Sequence, residues 1–253
     1  MVYGKVTQMD TSKLIYYYVY TFNERNKEEK AQMVLQVGDH IQRFSSMENY
    51  LIDSLALVFN NEPQDTKVLS IKNREIRYQL KYKNDVRWVL YTNVQDGNRS
   101  ITDRVFMDNF LTLEKDETPV WQLEEDQKVI GGRLCSKATA TLYGRDWVVW
   151  YSENDTRPDG PWLLKGLPGV VVEATDSTGK FVFQLYKIER RATPILFNQR
   201  NYLQASRNDV LKAMRRYYDN KAQYVSAAVV SEELTELPKT EAVPYSPLRK
   251  IIE

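Results

Sequence analysis

The sequence has almost none of the residues that build covalent crosslinks and most metal centres. Its 253 residues include one cysteine and one histidine. One cysteine cannot form a disulfide bond within the chain or a multi-cysteine zinc site, and one histidine cannot supply a pair of imidazole ligands. We therefore predict no metal ion and no cofactor. A catalytic triad would have to use His40, which stands beside a predicted turn and is interpreted as a turn residue.

An excess of charge of either sign is missing too. The chain has 35 lysines and arginines against 34 acidic residues, a formal net charge of +1. Proteins that bind nucleic acid or an anionic membrane surface usually carry a clear basic excess, so we predict no nucleic-acid partner. No apolar run approaches the roughly 20 residues that cross a bilayer as a helix, so we also predict no transmembrane segment.

Motifs of common enzyme classes are absent as well. The sequence contains no glycine-rich phosphate loop, no Gly-x-Ser-x-Gly turn and no calcium-loop spacing of acids. Cys135 lies in an alternating segment between Leu134 and Ser136, which favours a structural thiol over a nucleophile. The 34 acidic residues are scattered, so acid pairs such as Glu124-Glu125 carry little weight. We predict no catalytic residue.

What the sequence does contain is strand-like alternation. Aromatic residues make up 12% of the chain, including 17 tyrosines, and such residues suit half-buried strands. Period-two patterns separated by turn residues predict an antiparallel sheet. The predicted strands cover residues 14–20, 33–37, 41–44, 76–83, 86–91, 101–113, 135–142, 147–151, 170–174 and 181–186. Asn84-Asp85 is predicted to turn 76–83 into 86–91, whereas the charged run 23–30 is predicted to be a solvated turn or helical cap.

Helical spacing is confined to two places. Ser46 is a candidate cap for a short helix near residues 47–57. Apolar residues recur every three or four positions from Val210 to Tyr218, which predicts a helix near 207–222 capped by Ser206 or Asn208. The predicted fold is therefore mainly β: a curved antiparallel sheet that forms a sandwich or partial barrel. We expect a single domain over residues 1–230 and an extended or poorly ordered tail over 231–253.

The most distinctive segment lies between residues 147 and 179. Two stiff glycine–proline turns, at residues 159–161 and 166–169, bracket Trp162. Such a segment holds one shape without regular hydrogen bonding. It either plugs the open end of a curved sheet or forms a binding rim around Trp150, Trp162 and Lys165. The candidate binding residues are Trp147, Trp150, Tyr151, Asp159, Trp162 and Lys165, and the candidate structural residues are Cys135, Gly160, Pro161, Gly166, Leu167, Pro168 and Gly169.

This segment resembles the GLPGLI family, whose name motif stands here as Gly166-Leu167-Pro168-Gly169-Val170-Val171. Further likenesses follow in the family's order at residues 33–38, 43–46, 132–138, 144–145, 150–151, 159–162 and 245–247. The resemblance implies a protein of Bacteroidota that is exported with its signal removed, is periplasmic or on the cell surface, and is often encoded near outer-membrane transport genes. The family's biochemical activity is not established, so the resemblance transfers no catalytic residue.

Three functional hypotheses remain open from the sequence. The first is a non-catalytic envelope protein that binds an apolar or peptide-like ligand, or an outer-membrane transport protein. The alternative is a carboxylate-dependent hydrolase with Asp155 or Asp159 near Trp162. A third possibility is that exposed sheet edges or the proline-containing tail dock another envelope protein.

Overall fold

The computed structural model describes residues 5–24, 27–61, 66–82, 86–93 and 97–224, and most of these residues are in strands. In chain order the elements are β1 (Lys5–Ser12), β2 (Leu14–Glu24), β3 (Lys27–Val37), β4 (Ile41–Ser46), α1 (Met47–Asn61), α2 (Thr66–Gln79), β5 (Val89–Asn93), β6 (Asn98–Val105), β7 (Asp108–Lys115), β8 (Gln122–Ile130), β9 (Arg133–Leu142), β10 (Arg145–Ser152), β11 (Val170–Asp176), β12 (Phe181–Glu189), β13 (Thr193–Gln199), β14 (Tyr202–Gln204) and α3 (Arg207–Asp219).

Twelve strands form one sheet in the order β14-β7-β6-β5-β4-β3-β2-β12-β11-β10-β9-β8. All neighbours in it are antiparallel except β14 and β7. Strands β1 and β13 form a separate antiparallel pair. The predicted mainly β fold with a large antiparallel sheet is confirmed, and the sheet is not closed into a barrel.

The sheet bends until distant strands touch. Six strands lie between β6 and β10 in the sheet order. The turn after β9 nevertheless carries Tyr143, whose hydroxyl accepts hydrogen bonds from Arg99 of β6 and from Arg207 of α3. Both arginines also pair with Glu114 of β7. This cluster joins the two halves of the sheet across its concave face.

The alternation in β2 separates two cores. Tyr16, Tyr18 and Tyr20 are fully buried and belong to the main core on the concave face. Tyr20 stacks on Phe183 of β12, with ring centroids 4.6 Å apart. The intervening residue Tyr17 points to the convex face, where α1 covers it.

The predicted strand at residues 76–83 is wrong, because residues 76–79 belong to helix α2. Ile76, Tyr78 and Leu80 alternate with polar residues, but the same residues also fit a helix. The more buried positions are Asn73, Ile76 and Leu80, at helical spacing, and Tyr78 is 71% exposed. The predicted turn at Asn84-Asp85 lies outside the described residues.

The charged run 23–30 is also corrected. Its described residues continue strands β2 and β3 beyond the core, with Phe22 opposite Glu29 and Thr21 opposite Lys30. A solvated turn was expected because the run lacks apolar residues. Backbone pairing extends the hairpin without them, since main-chain groups satisfy one another whatever side chains they carry.

The two predicted helices are confirmed. The Ser46 hydroxyl accepts a hydrogen bond from the Asn49 amide at the start of α1, and Ser206 caps α3. Helix α3 buries Val210, Leu211 and Met214. None of the helices among the described residues has the length and hydropathy required to cross a bilayer. The predicted tail at 231–253 lies outside the described residues.

A buried ion pair fixes α1 to the sheet. Arg43 of β4 is 1% exposed, and its Nη2 donates to Asp53 Oδ2 of α1 at 2.7 Å. Asp53 Oδ1 accepts a second hydrogen bond, from Asn198 Nδ2 of β13, at 2.9 Å. One carboxylate therefore connects the sheet, the helix and the separate strand pair.

Replacing Asp53 with alanine leaves the Arg43 guanidinium buried without its counter-charge. We expect the free energy of unfolding to fall by about 3–5 kcal/mol, measured by urea denaturation. The matched control Asp39→Ala breaks an exposed pair with Lys13 and should cost at most about 1 kcal/mol. Equal losses for the two variants would show that the buried pair does not hold the layers together.

Candidate functional site

The segment at residues 153–169, between β10 and β11, fills the concave face of the sheet. Trp162 is 5% exposed. Its ring centroid lies 5.9 Å from that of Trp147 and 6.0 Å from that of Tyr143. Leu163, Leu164 and Leu167 are also buried in the main core. The segment is thus a plug of the sheet's interior, the first of the two alternatives that the sequence left open.

Two positions of the plug, Gly166 and Gly169, require glycine. Gly166 has φ +89°, a left-handed conformation that other residues rarely adopt. Its amide donates to the Pro158 carbonyl at 2.9 Å and closes the plug into a loop. A side chain at Gly169 would place its Cβ 2.3 Å from the Ser152 carbonyl oxygen. The backbones therefore approach too closely there for any other residue.

Asp159 is a buried structural acid in the plug. It accepts hydrogen bonds from the Tyr16 hydroxyl at 3.1 Å and from Gln42 Nε2 at 2.9 Å. Burial raises the pKa of this carboxyl above its ordinary value of 3.8, although both hydrogen bonds oppose the shift. With both oxygens engaged and 4% of the residue exposed, Asp159 does not face a substrate-sized cleft. This arrangement does not favour the hydrolase alternative.

The structure divides the candidate binding residues between two environments. Trp147, Tyr151, Asp159 and Trp162 are buried. Trp150 is half-buried, and the Lys128 ammonium lies 4.3 Å from its ring centroid.

The remaining candidates have structural contacts as well. Lys165 pairs with Asp116, and the Trp121 indole donates to the Lys165 carbonyl at 2.9 Å. Gly160, Pro161 and Leu167 are buried within the plug, whereas Pro168 is exposed. Cys135 is fully buried, and burial raises the pKa of its thiol, which disfavours the nucleophilic thiolate.

A large open cleft, of about 690 Å³, lies on the other side of the sheet between α1, α2 and strands β5 and β6. We call it the helix–sheet cleft. It is lined by Glu48, Asn49, Ile52, Asp53, Ser70, Asn73, Arg74, Arg77, Arg87, Val89, Tyr91, Thr102, Asp103, Arg104, Phe106, Met107, Asn109, Asn198, Arg200, Tyr202 and Tyr217.

Chain geometry brings these residues together. Helices α1 and α2 lie in the connection between β4 and β5, which are neighbours in the sheet. Ser70, Asn73, Arg74 and Arg77 recur at three- and four-residue spacing and so share one face of α2. The opposite wall comes from β6 and from the turn between β13 and β14, where Arg200 stands.

The lining carries five arginines against three acidic residues. Two of the acids are already paired, Glu48 with Arg77 at 2.5 Å and Asp53 with Arg43 at 2.7 Å. Among the described residues, neither Arg74 nor Arg200 has a carboxylate within ion-pair distance. The cleft therefore offers positive charge that the surrounding protein does not neutralise.

Asn73 is the least satisfied group in the wall. It is 8% exposed, and neither its Nδ2 nor its Oδ1 has a hydrogen-bond partner among the described residues. A buried amide without partners costs free energy, so such a group marks strain or a site for a water molecule, an ion or a ligand. On the far wall, burial raises the pKa of Tyr202 to about 12, which keeps its hydroxyl a donor to the Asn198 carbonyl at 2.7 Å.

A second, much smaller cavity lies beneath α3 beside Trp162. Its volume is about 40 Å³ and its walls are mainly apolar, with Phe110, Leu211 and Met214 among them. A space of that size holds one or two water molecules and no larger ligand. It belongs to the packing of α3 over the plug.

Sequence reasoning missed the helix–sheet cleft entirely. Because residues 76–83 were predicted to be a strand, the helical face that Asn73, Arg74 and Arg77 share was not recognised. The one available signal was the three- and four-residue spacing of these polar residues. The remaining lining residues come from distant parts of the chain and share no local pattern.

Comparison with known proteins shows similarity of fold alone. No protein-family model matches the chain, and no curated protein matches it. The structure of PNGF-II in a C2 crystal form aligns with TM-score 0.50 and 14% identity, over 79% of this chain and 32% of that chain. A second crystal form of PNGF-II gives TM-score 0.48 and 12% identity over 81% and 33%. The chain thus spans about a third of the PNGF-II chain.

Trp162→Ala tests the role of the plug. Because the indole is buried against Trp147, we expect the free energy of unfolding to fall by about 3–5 kcal/mol. Trp150→Ala, which truncates a half-buried indole on a neighbouring strand, should cost less. Chemical denaturation measures both variants. A loss below about 1 kcal/mol for Trp162→Ala would contradict the structural role of this side chain.

The raised pKa of Asp159 predicts a pH dependence of stability. The folded protein holds the Asp159 proton more tightly than the unfolded chain does. The stability that Asp159 gains from this tighter proton binding is therefore fully present below the unfolded pKa and is lost as pH rises through the folded pKa. Asp159→Asn cannot ionise. Its stability relative to wild type should therefore rise between about pH 3.5 and pH 7. Denaturant midpoints across this range measure the difference, and a difference that falls with pH would contradict the assignment.

Proposed function

We propose that this chain is a non-catalytic binding protein of the cell envelope whose ligand occupies the helix–sheet cleft. The observation that carries the proposal is the cleft itself, with its excess of arginines and its unpartnered Asn73. Its volume of about 690 Å³ is within the range of pockets that enclose small ligands.

The lining favours an acidic ligand with an apolar or aromatic part. Arginines bind carboxylate and phosphate groups through planar, paired hydrogen bonds. Phe106, Tyr202 and Tyr217 add aromatic surface to the same cleft. A small acidic molecule or a short acidic peptide therefore fits the cleft better than a neutral lipid does.

Other surfaces support a ligand less well. The plug occupies the concave face, which removes the space that an apolar ligand on the sheet would need. The free edge at β8 carries Glu124, Glu125 and Asp126, and its pairing with β9 is irregular between Leu123 and Gln127. Charges and irregular pairing protect an edge against the addition of another strand. The other edge strand, β14, has three residues.

The compartment in this proposal comes from the GLPGLI resemblance. Export to the periplasm or cell surface, and a working relationship with an outer-membrane transport protein, are expectations of that resemblance. A binding protein in this compartment would present or retain a small acidic molecule for its partner. Fractionation of the native host, followed by immunodetection, would test the location.

A cleft-blocking variant tests whether the cleft binds ligands. The probe is 8-anilinonaphthalene-1-sulfonate, a fluorescent molecule that combines a sulfonate with an aromatic body. Ser70 lines the cleft and is exposed, so Ser70→Trp fills the space with little risk to the core. We expect this change to weaken probe binding by about tenfold or more, measured by fluorescence titration.

Glu75→Trp is the matched control. Glu75 is exposed on the same helix and does not line the cleft. Wild-type affinity in this variant would locate the probe in the cleft. Equal affinity in the wild type and both variants, or no binding at all, would contradict the proposed function.

A further inference from the structure

The most informative feature of the cleft is a set of hydrogen-bonding groups that the protein leaves unused. Three of them, Asn73, Arg74 and Arg200, lie on facing walls. Their unused donors and acceptors, and the charge around them, define the chemistry of a complementary ligand. The inference drawn from them rests on the proposed function and makes its ligand specific.

Arg200 is oriented without being neutralised. Its Nε donates to Asn198 Oδ1 at 3.3 Å, and its Nη1 donates to Asn109 Oδ1 at 3.5 Å. Both acceptors are uncharged amide oxygens. These two long contacts orient the guanidinium, and its charge and its other N–H groups stay available to an anion.

Arg74 supplies a second cation from the helical wall. It is exposed on α2, and it makes no hydrogen bond or ion pair with the described residues. The neighbouring Arg77 on the same helix face is paired with Glu48. Two unneutralised guanidinium groups on opposite walls favour an anion with two negative charges over a singly charged carboxylate.

Asn73 adds a further hydrogen-bonding requirement to that of the two cations. Its amide has an unpartnered donor and an unpartnered acceptor. Both atoms are screened from solvent in the structure, so a rotation about the soft χ2 torsion has to present them to a ligand in the cleft. The donor suits an anionic oxygen, and the acceptor suits a hydroxyl group of the same ligand.

We propose that the helix–sheet cleft binds a phosphate monoester of a small hydroxylated molecule. Arg74 and Arg200 hold the phosphoryl oxygens, and Asn73 bonds one phosphoryl oxygen and a neighbouring hydroxyl. A phosphate monoester carries close to two negative charges at neutral pH and three acceptor oxygens, which matches the two guanidinium groups that no described carboxylate neutralises. Binding involves no covalent step.

Isothermal titration calorimetry with D-glucose 6-phosphate tests the proposal. Glucose, inorganic phosphate and glucuronate are the comparison probes, because they lack the charge, the hydroxylated body and the phosphoryl group respectively. We expect glucose 6-phosphate to bind at least about tenfold more tightly than each of them. Arg74→Gln should weaken its binding about tenfold or more.

Two further variants separate binding from stability. Lys72→Gln removes one positive charge from an exposed position of α2 that does not line the cleft, and its affinity should stay within about twofold of wild type. Asn73→Leu removes the unpartnered amide. It should weaken binding of glucose 6-phosphate and also raise the melting temperature. If Asn73 were instead hydrogen-bonded within the structure, its replacement would lower the melting temperature.

Each contrary result has a distinct meaning. If glucuronate or inorganic phosphate binds as tightly as glucose 6-phosphate, the ligand is not specifically a phosphate ester. The proposed binding function would nevertheless be retained if the cleft binds the sulfonate probe. Binding that Arg74→Gln leaves unchanged would show that the phosphate lies elsewhere. If the cleft binds the sulfonate probe but the protein does not bind glucose 6-phosphate, the phosphate-ester inference is rejected and the proposed binding function is not.

Discussion

The arrangement of the layers depends on one buried charge pair. Arg43 and Asp53 lose nearly all contact with water, a cost that is tolerable only if the surrounding protein replaces the lost hydration. Gln36, Ser45 and Tyr91 supply the remaining partners of Arg43. Since these groups come from the sheet and Asp53 comes from α1, the helix can occupy only one position on the convex face.

One member of the same pair, Asp53, also lines the helix–sheet cleft. Asp53 also binds Asn198, and Asn198 in turn orients Arg200 through its side-chain oxygen. The position of a cleft arginine is therefore set by a chain of hydrogen bonds that begins in the protein interior. A site that is built on such a chain is preorganised, so a ligand does not bear the full entropic cost of ordering it.

The sequence predicted the sheet well and the cleft not at all, and the reason is physical. The hairpin of β9 and β10 was predictable because both its alternation and its turn are local. Helix α2 was missed because a short alternation of apolar and polar residues fits both a strand and a helix, and only packing decides between them. Gln36, Asp53 and Asn198 come together only in the folded protein, so no local spacing in the sequence predicts their proximity.

The distinctive glycine–proline segment illustrates a different limit. Its stiffness was evident from the sequence, but stiffness serves a plug and a binding rim equally well. The decision came from Trp147 and Tyr143, whose ring centroids lie 5.9 and 6.0 Å from that of Trp162. The tight interior around the plug on the concave side contrasts with the convex side, where the described chain has an open cleft of about 690 Å³.

The two faces of the sheet thus differ in how completely their polar and charged side chains find hydrogen-bond partners and counter-charges. On the concave face, Asp159 has partners for both oxygens and the plug leaves little space. On the convex face, Asn73 is buried without partners among the described residues, and arginines outnumber acids in the cleft lining. An unsatisfied amide beside unneutralised cations destabilises the empty protein, and an anionic ligand that satisfies both recovers that free energy on binding. Under the proposed function, the cost in stability and the affinity for a ligand therefore have the same physical origin.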